Sequence, residues 1–169
     1  MTAYIALLRA VNVGGRQLKM AELKRIAGIC GFGSPRTFIA SGNLLFVSGE
    51  SEAAVKQRLE QALTEHMGKT VEVMVRTSAE MEAVARANPF AAEPGNRVAA
   101  FFFDQRPPAG AIGEAKNVGT ERLAPGKREI YAHFPDGQGR SKLQLGTKAA
   151  ATARNMNTVA KLAELAREM

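Results

Sequence analysis

The chain has 169 residues, a formal net charge of +7, 46% hydrophobic residues and 23% charged residues. This length predicts one compact single-chain unit able to bury a core without staples, and the composition excludes a disordered or collagen-like chain. A single cysteine, Cys30, excludes an internal disulfide and points to a reducing, cytoplasmic compartment, while two histidines, His66 and His133, are too few for a structural zinc site.

No apolar run reaches about 18 residues, so no membrane-spanning helix and no membrane partner are expected. The opening MTAYIALLRAVNV lacks a basic n-region and a cleavage signal, and reads as a strand rather than a secretory leader.

In chain order, AYIALLR (3–9) has strand length and is followed by AVNVGGRQL, where Gly14-Gly15 breaks regular structure. Met20, Leu23, Ile26, Ala27 and Cys30 recur at helical spacing, and Gly31 and Gly33 stop that helix. Arg36 to Ala40 and Asn43 to Ser48 read as two strands around a Ser41-Gly42 turn. A second helix opens at Ser48 or Ser51, buries Ala54, Val55, Leu59 and Leu63, and ends near Gly68. Val71 to Arg76 is a fourth strand. The order β-α-β-β-α-β over residues 3–76 predicts a ferredoxin-like split βαβ half with strand order four-one-three-two. The strands IALL, LLFV and VEVMV are apolar on both sides, so both faces of that sheet should be covered, by the rest of the chain or by another subunit. The sheet lacks the stacking aromatics of an open RNA-binding module.

Residues 77–169 predict a second, less regular α+β half packed with the first. Thr77-x-x-Glu80 is a capping box for a helix through about Ala87. Arg97 to Asp104 is an apolar strand, and a short helix is expected around Ala111 to Lys116. Glu121 to Leu123 and Arg128 to Phe134 are strands joined by Ala124-Pro125-Gly126. On the latter, Tyr131 and His133 are expected to face outward while Ile130, Ala132 and Phe134 face in. PDGQGRSK is a glycine-rich basic loop, a helix is expected over Ser141 to Ala150, and a last helix over Asn157 to Arg167 with Asn157 as its cap.

Three polar groups stand out as candidate ligand contacts. In a split βαβ arrangement the end of the first strand lies beside the turn between the second and third. Arg9, Asn12, Gly14, Gly15 and Arg16 should therefore approach Ser41, Gly42 and Asn43, an anion or phosphate cradle unless these residues serve only as turn chemistry. Neither GxxxxGK[ST] nor GxGxxG is present. Arg140, Ser141 and Lys142 supply two cations and a hydroxyl on a flexible loop. Arg154, Asn155, Asn157 and Thr158 offer more amides than one helix cap needs, and read as a binding edge or as capping. The basic excess concentrates here: residues 116–154 hold eight basic and three acidic residues. Such a balance suits polyanions or anionic metabolites, or a solvated basic face. No paired carboxylates and no GxSxG context argue for catalysis, and His133 is the best available titratable group.

The stretches LLRAVNVGG (7–15), TFIASGNLLF (37–46), GRSKL (139–143) and ARNMNTVAKLAEL (153–165) resemble the bacterial "domain of unknown function 1697" family, in the same order and across essentially the whole chain. Ala10, Ala40 and Met156 depart from that family's usual glycine, glutamine and tryptophan. The resemblance implies an α+β protein and brings no activity. The four stretches are expected to converge on one cleft between the halves. The function expected is a non-catalytic binding module for a phosphate-bearing ligand, nucleotide or nucleic acid, with no cofactor and no metal. The alternatives are a small enzyme acting on a nucleotide or phosphorylated metabolite and a protein-interaction subunit.

Overall fold

The structure is a computed structural model that describes residues 1–9, 17–40 and 42–169. Eight strands among these residues form two four-stranded antiparallel sheets, accompanied by five α-helices. Contacts divide the chain into one unit of Met1–Met81 with Leu162–Met169 and another of Glu82–Lys161. No helix among the described residues is long and apolar enough to cross a membrane.

The first unit runs β1 (Thr2–Leu8), α1 (Met20–Ile29), β2 (Gly33–Thr37), β3 (Asn43–Ser48), α2 (Glu52–Met67) and β4 (Val73–Thr77). Its sheet order is β2-β3-β1-β4, the order expected from the sequence. Tyr4, Ala6 and Leu8 on β1, with Leu44 and Phe46 on β3 and Val73 and Val75 on β4, pack against Leu23, Ile26 and Ala27 of α1 and Val55, Leu59 and Leu63 of α2. Phe32 stacks on Phe46 at 4.1 Å between ring centroids. On the opposite face Ile5, Leu7, Leu45 and Met74 are also fully buried. A strand buried on both faces explains the absence of alternation in IALL and VEVMV.

Local chemistry sets the ends of these elements. Ser51 accepts a hydrogen bond from the Ala54 amide at the start of α2, and Gly68 closes the helix in the left-handed region at φ 70°. The Thr77–Glu80 box is reciprocal. The Thr77 amide donates to Glu80 Oε1 at 2.9 Å and the Glu80 amide to Thr77 Oγ1 at 3.1 Å, opening α3 (Ser78–Arg86). β2 lies three residues earlier than the sequence reading, because Ile39 adopts φ 54° and leaves the strand.

The second unit contains most of α3, then β5 (Val98–Phe103), the short α4 (Gly110–Gly113), β6 (Arg122–Pro125), β7 (Glu129–His133), β8 (Ala151–Asn155) and the first half of α5 (Met156–Arg167). Its sheet order is β6-β7-β5-β8, so its first, second, third and fourth strands stand in the same order as those of the first sheet. The second unit has no counterpart of α2: between β7 and β8 the chain makes one 3-10 turn (Gln138–Arg140) and is then irregular.

The helix expected over Ser141 to Ala150 is therefore corrected to irregular chain followed by β8. Leu143 and Leu145, two residues apart, pack on the core at a strand's period, and Gln144 pairs with Lys116 in an isolated bridge. One face of the sheet packs Ala99, Phe101 and Phe103 with Ile130, Ala132 and Phe134. The other carries Glu129, Tyr131, His133, Thr152 and Arg154, all buried. Tyr131 and His133 do face away from Ile130, Ala132 and Phe134, as expected, but not into solvent: β7 is buried along its whole length.

Removing either cap should lower stability without altering the fold. Ser51→Ala and Thr77→Ala are each expected to cost about 1 kcal/mol, a fall of about 2–4 °C in midpoint for a chain of this size. Urea unfolding at an unchanged m-value checks this.

Candidate functional site

At the end of β1 the described residues of the expected cradle are Arg9, Gly42 and Asn43. Leu7 pairs with Asn43, the Leu8 amide donates to the Gly42 carbonyl at 2.9 Å, and Arg9 follows directly. Gly42 holds φ 85°, which a side chain would resist. Asn43 is fully buried, and its Nδ2 donates to the Phe38 carbonyl at 2.9 Å, closing the hairpin turn from inside. Arg9 is half-exposed and pairs with Glu72 at 3.3 Å. The remaining members of the proposed cradle, Asn12, Gly14, Gly15, Arg16 and Ser41, lie outside the described residues.

The glycine-rich loop of the second unit is held by hydroxyl and carboxylate groups. Ser141 Oγ donates to Glu121 Oε1 at 2.9 Å and accepts from the Leu143 amide at 3.1 Å. Glu121 sits below the usual carboxylate range because its own amide, the Gly119 amide and Ser141 all donate to it. Thr120 Oγ1 donates to Asp136 Oδ2, and Arg97 Nη1 reaches the Pro135 carbonyl beside Gly137. Arg140 and Lys142 flank the anchored Ser141. Both are exposed and without an ion pair or side-chain hydrogen bond among the described residues.

The Arg154–Thr158 stretch does structural work. Arg154 is buried on β8, where its Nη1 donates to Thr152 Oγ1 at 2.7 Å and to the Ala153 carbonyl at 2.9 Å. Burial pulls its guanidinium down to about 10, leaving it cationic at neutral pH. The cap of α5 is Asn155, whose Oδ1 accepts from the Thr158 amide at 2.9 Å, and not Asn157 as expected. Asn157 belongs to the first turn of the helix, with its side chain against Gly95, where a Cβ would collide with it.

The sequence reading missed the surroundings of His133. Arg122 Nη2 lies 3.1 Å from His133 Nδ1, Glu93 Oε2 lies 3.5 Å from Nε2, and the Phe90 ring packs at 5.8 Å. Arg122 in turn sits over the Phe90 ring and pairs with Glu93. A guanidinium can only donate, so Arg122 meets Nδ1 as its acceptor, while Glu93 faces the other ring nitrogen. Glu93 and Arg122 are far apart in sequence and carry no motif; only the strand register of Arg122 opposite His133 joins them. Among the described residues no group of three or more His, Cys, Asp or Glu side chains is placed to hold a metal ion.

Fold and site together define a mixed α+β protein built on two four-stranded antiparallel sheets, with its exposed polar chemistry on loops. The family model described as "Protein of unknown function (DUF1697)" matches residues 1–131, and the chain belongs to that family. Among solved structures it is similar to the conserved bacterial protein SP0830 from Streptococcus pneumoniae. The two share 22% sequence identity at a TM-score of 0.77, with 99% of each chain covered. No curated protein matches the chain.

Two outcomes follow from the buried polar face of the second sheet. His133→Ala leaves Arg122 and Glu93 short of a partner and should cost about 1–3 kcal/mol in chemical unfolding, with His133→Gln costing less. Tyr131 donates its hydroxyl to the Val84 carbonyl at 2.7 Å, and burial, with the Glu129 charge, pushes its phenol up to about 12. A folded-state value above the ordinary one means that this group's stability share is complete below pH 10 and is lost as pH climbs towards 12. The ultraviolet difference titration between the natural protein and Tyr131→Phe should place the missing tyrosinate near pH 12. A midpoint at pH 10 would show the phenol to be solvated.

Proposed function

We propose that this protein is a non-catalytic binding module for a phosphate-bearing ligand, a nucleotide or a nucleic acid, working in the cytoplasm. The observation that carries the reading is the pair Arg140 and Lys142, exposed and without an ion pair or side-chain hydrogen bond among the described residues, on either side of a serine fixed by Glu121. Most basic side chains on a protein surface are solvated and mobile. Here the backbone between two of them is pinned, so less ordering entropy opposes their joint contact with a polyanion. The excess of basic over acidic residues across 116–154 adds long-range attraction. A reading without chemistry is supported by the burial of His133, the best titratable candidate, against Arg122. Arg9 beside Gly42 in the first unit is a further cation at a turn, partly offset by Glu72. The first unit is read as a ferredoxin-like split βαβ, a reading supported by its element order and the strand order β2-β3-β1-β4.

Fluorescence anisotropy with a labelled single-stranded oligonucleotide and with a labelled ADP tests the proposal. Arg140→Glu with Lys142→Glu should weaken binding, and for the oligonucleotide should reduce the slope of log affinity against log salt by about 2. Binding unchanged by the double substitution, or no binding of either probe at low salt, would contradict it.

A further inference from the structure

The chain beyond Ser141 is joined to the segment after α4 by one isolated pair of residues. The Lys116 amide donates to the Gln144 carbonyl at 2.8 Å, and the Gln144 amide to the Lys116 carbonyl at 3.0 Å, in antiparallel sense. Residues directly opposite in such a pair stand about 5.5 Å apart between Cα atoms, with their side chains on the same face. Exposure alternates along the partner segment: Lys142 and Gln144 are exposed, whereas Leu143 and Leu145 pack on the core. Lys116, Gln144 and Lys142 therefore share one outward face, and the exposed Arg140 lies two residues before Lys142. We propose that this face binds the phosphate backbone of a nucleic acid strand, with Lys116 as a third cationic contact and without reading of the bases. The inference rests on the reading of Arg140 and Lys142 given above and narrows its ligand to one class.

Three properties of this face suit a chain of phosphates better than a single nucleotide. The first is number. Three cations on three separate backbone positions are matched by successive phosphates of a strand, one charge each, rather than by the clustered charge of one nucleotide. The second is exposure. Lys116, Arg140, Lys142 and Gln144 all stand at the surface, which fits a strand lying across the protein, whereas a small ligand is held by burying most of its own surface. The third is the placing of the aromatic residues. The eight phenylalanines and two tyrosines are all buried or half-buried, so bases find no exposed ring to stack on and the contact is to phosphate.

The cations are available and the backbone beneath them is held. Like Arg140 and Lys142, Lys116 makes no ion pair or side-chain hydrogen bond among the described residues. The neighbouring carboxylates are directed elsewhere. Glu121 accepts from Ser141 Oγ and the Gly119 amide, Asp136 accepts from Thr120 Oγ1, and Glu114 folds back over Gly110. The side-chain amide of Gln144 adds a neutral donor on the same face as Lys116. Two backbone bonds fix Lys116, and the Ser141 contacts fix the chain between Arg140 and Lys142, so less ordering entropy opposes a joint grip on a strand. Because the Lys116–Gln144 bonds are made by backbone groups, replacing the Lys116 side chain leaves them in place.

The test is fluorescence anisotropy of the full chain over a salt series, with labelled oligo-dT and oligo-dA of about 12 nucleotides and with labelled ADP. The two oligonucleotides should bind alike, and about tenfold or more tightly than ADP. Lys116→Gln should weaken oligonucleotide binding and lower the slope of log affinity against log salt by about 1. Lys24→Gln, the same loss of charge at an exposed position of α1, should leave both unchanged. Four results would each overturn the inference: ADP bound as tightly as the oligonucleotides, a tenfold preference between oligo-dT and oligo-dA, Lys116→Gln without effect, or an equal effect of Lys24→Gln. Under any of these, weaker binding on Arg140→Glu with Lys142→Glu still upholds the broader reading of a phosphate-binding module. Failure of all three probes to bind at low salt would overturn both.

Discussion

In each sheet the first strand is the one the others are arranged around. β1 is hydrogen-bonded on one edge to β3 and on the other to β4, and from Tyr4 to Leu8 every residue is buried. Such a strand cannot be half-formed: its amides have no water to fall back on, and its side chains meet packed neighbours above and below. Both of its partners come from much later in the chain, so the sheet is held by non-local pairing. β5 occupies the same position in the second sheet, between β7 and β8. Leu8 at the end of β1 meets Gly42, and Phe103 at the end of β5 meets Arg128, each through a backbone hydrogen bond.

Much of the first unit could be read in advance because its signals are local. Ser51, Gly68 and the Thr77–Glu80 box each act within a few residues, and runs apolar on both sides announce a sheet covered on both faces. The second unit resisted for the opposite reason. β8 alternates Thr152 and Arg154 with small residues, a pattern that looks like a polar loop until both polar side chains are found bonded to one another beneath a buried surface. The cluster of His133, Glu93 and Arg122 is assembled by strand register and by a segment some forty residues away, and nothing in the spacing of those residues announces it. Leu143 and Leu145 carried a strand period within a stretch whose alanines suggested a helix.

Polar residues thus fall into two groups that the sequence does not separate. Asn43, Arg154, Asn155 and His133 are committed to the protein's own backbone and side chains. A buried donor without an acceptor costs more than a satisfied one returns, which is why such groups are found fully engaged. Arg106, Arg140 and Lys142 are exposed and have no such duties among the described residues.

Binding without chemistry is the central claim, and one experiment reads both halves of it at once. The ¹⁵N-labelled protein is mixed with ADP, and its amide spectrum and the ³¹P spectrum of the nucleotide are followed in the same sample over hours. The account predicts saturable amide shifts, including those of Arg140, Ser141 and Lys142, with the two phosphorus resonances of ADP unchanged in number and area. A silent amide spectrum would contradict the binding, and a growing new phosphorus resonance would contradict the absence of catalysis.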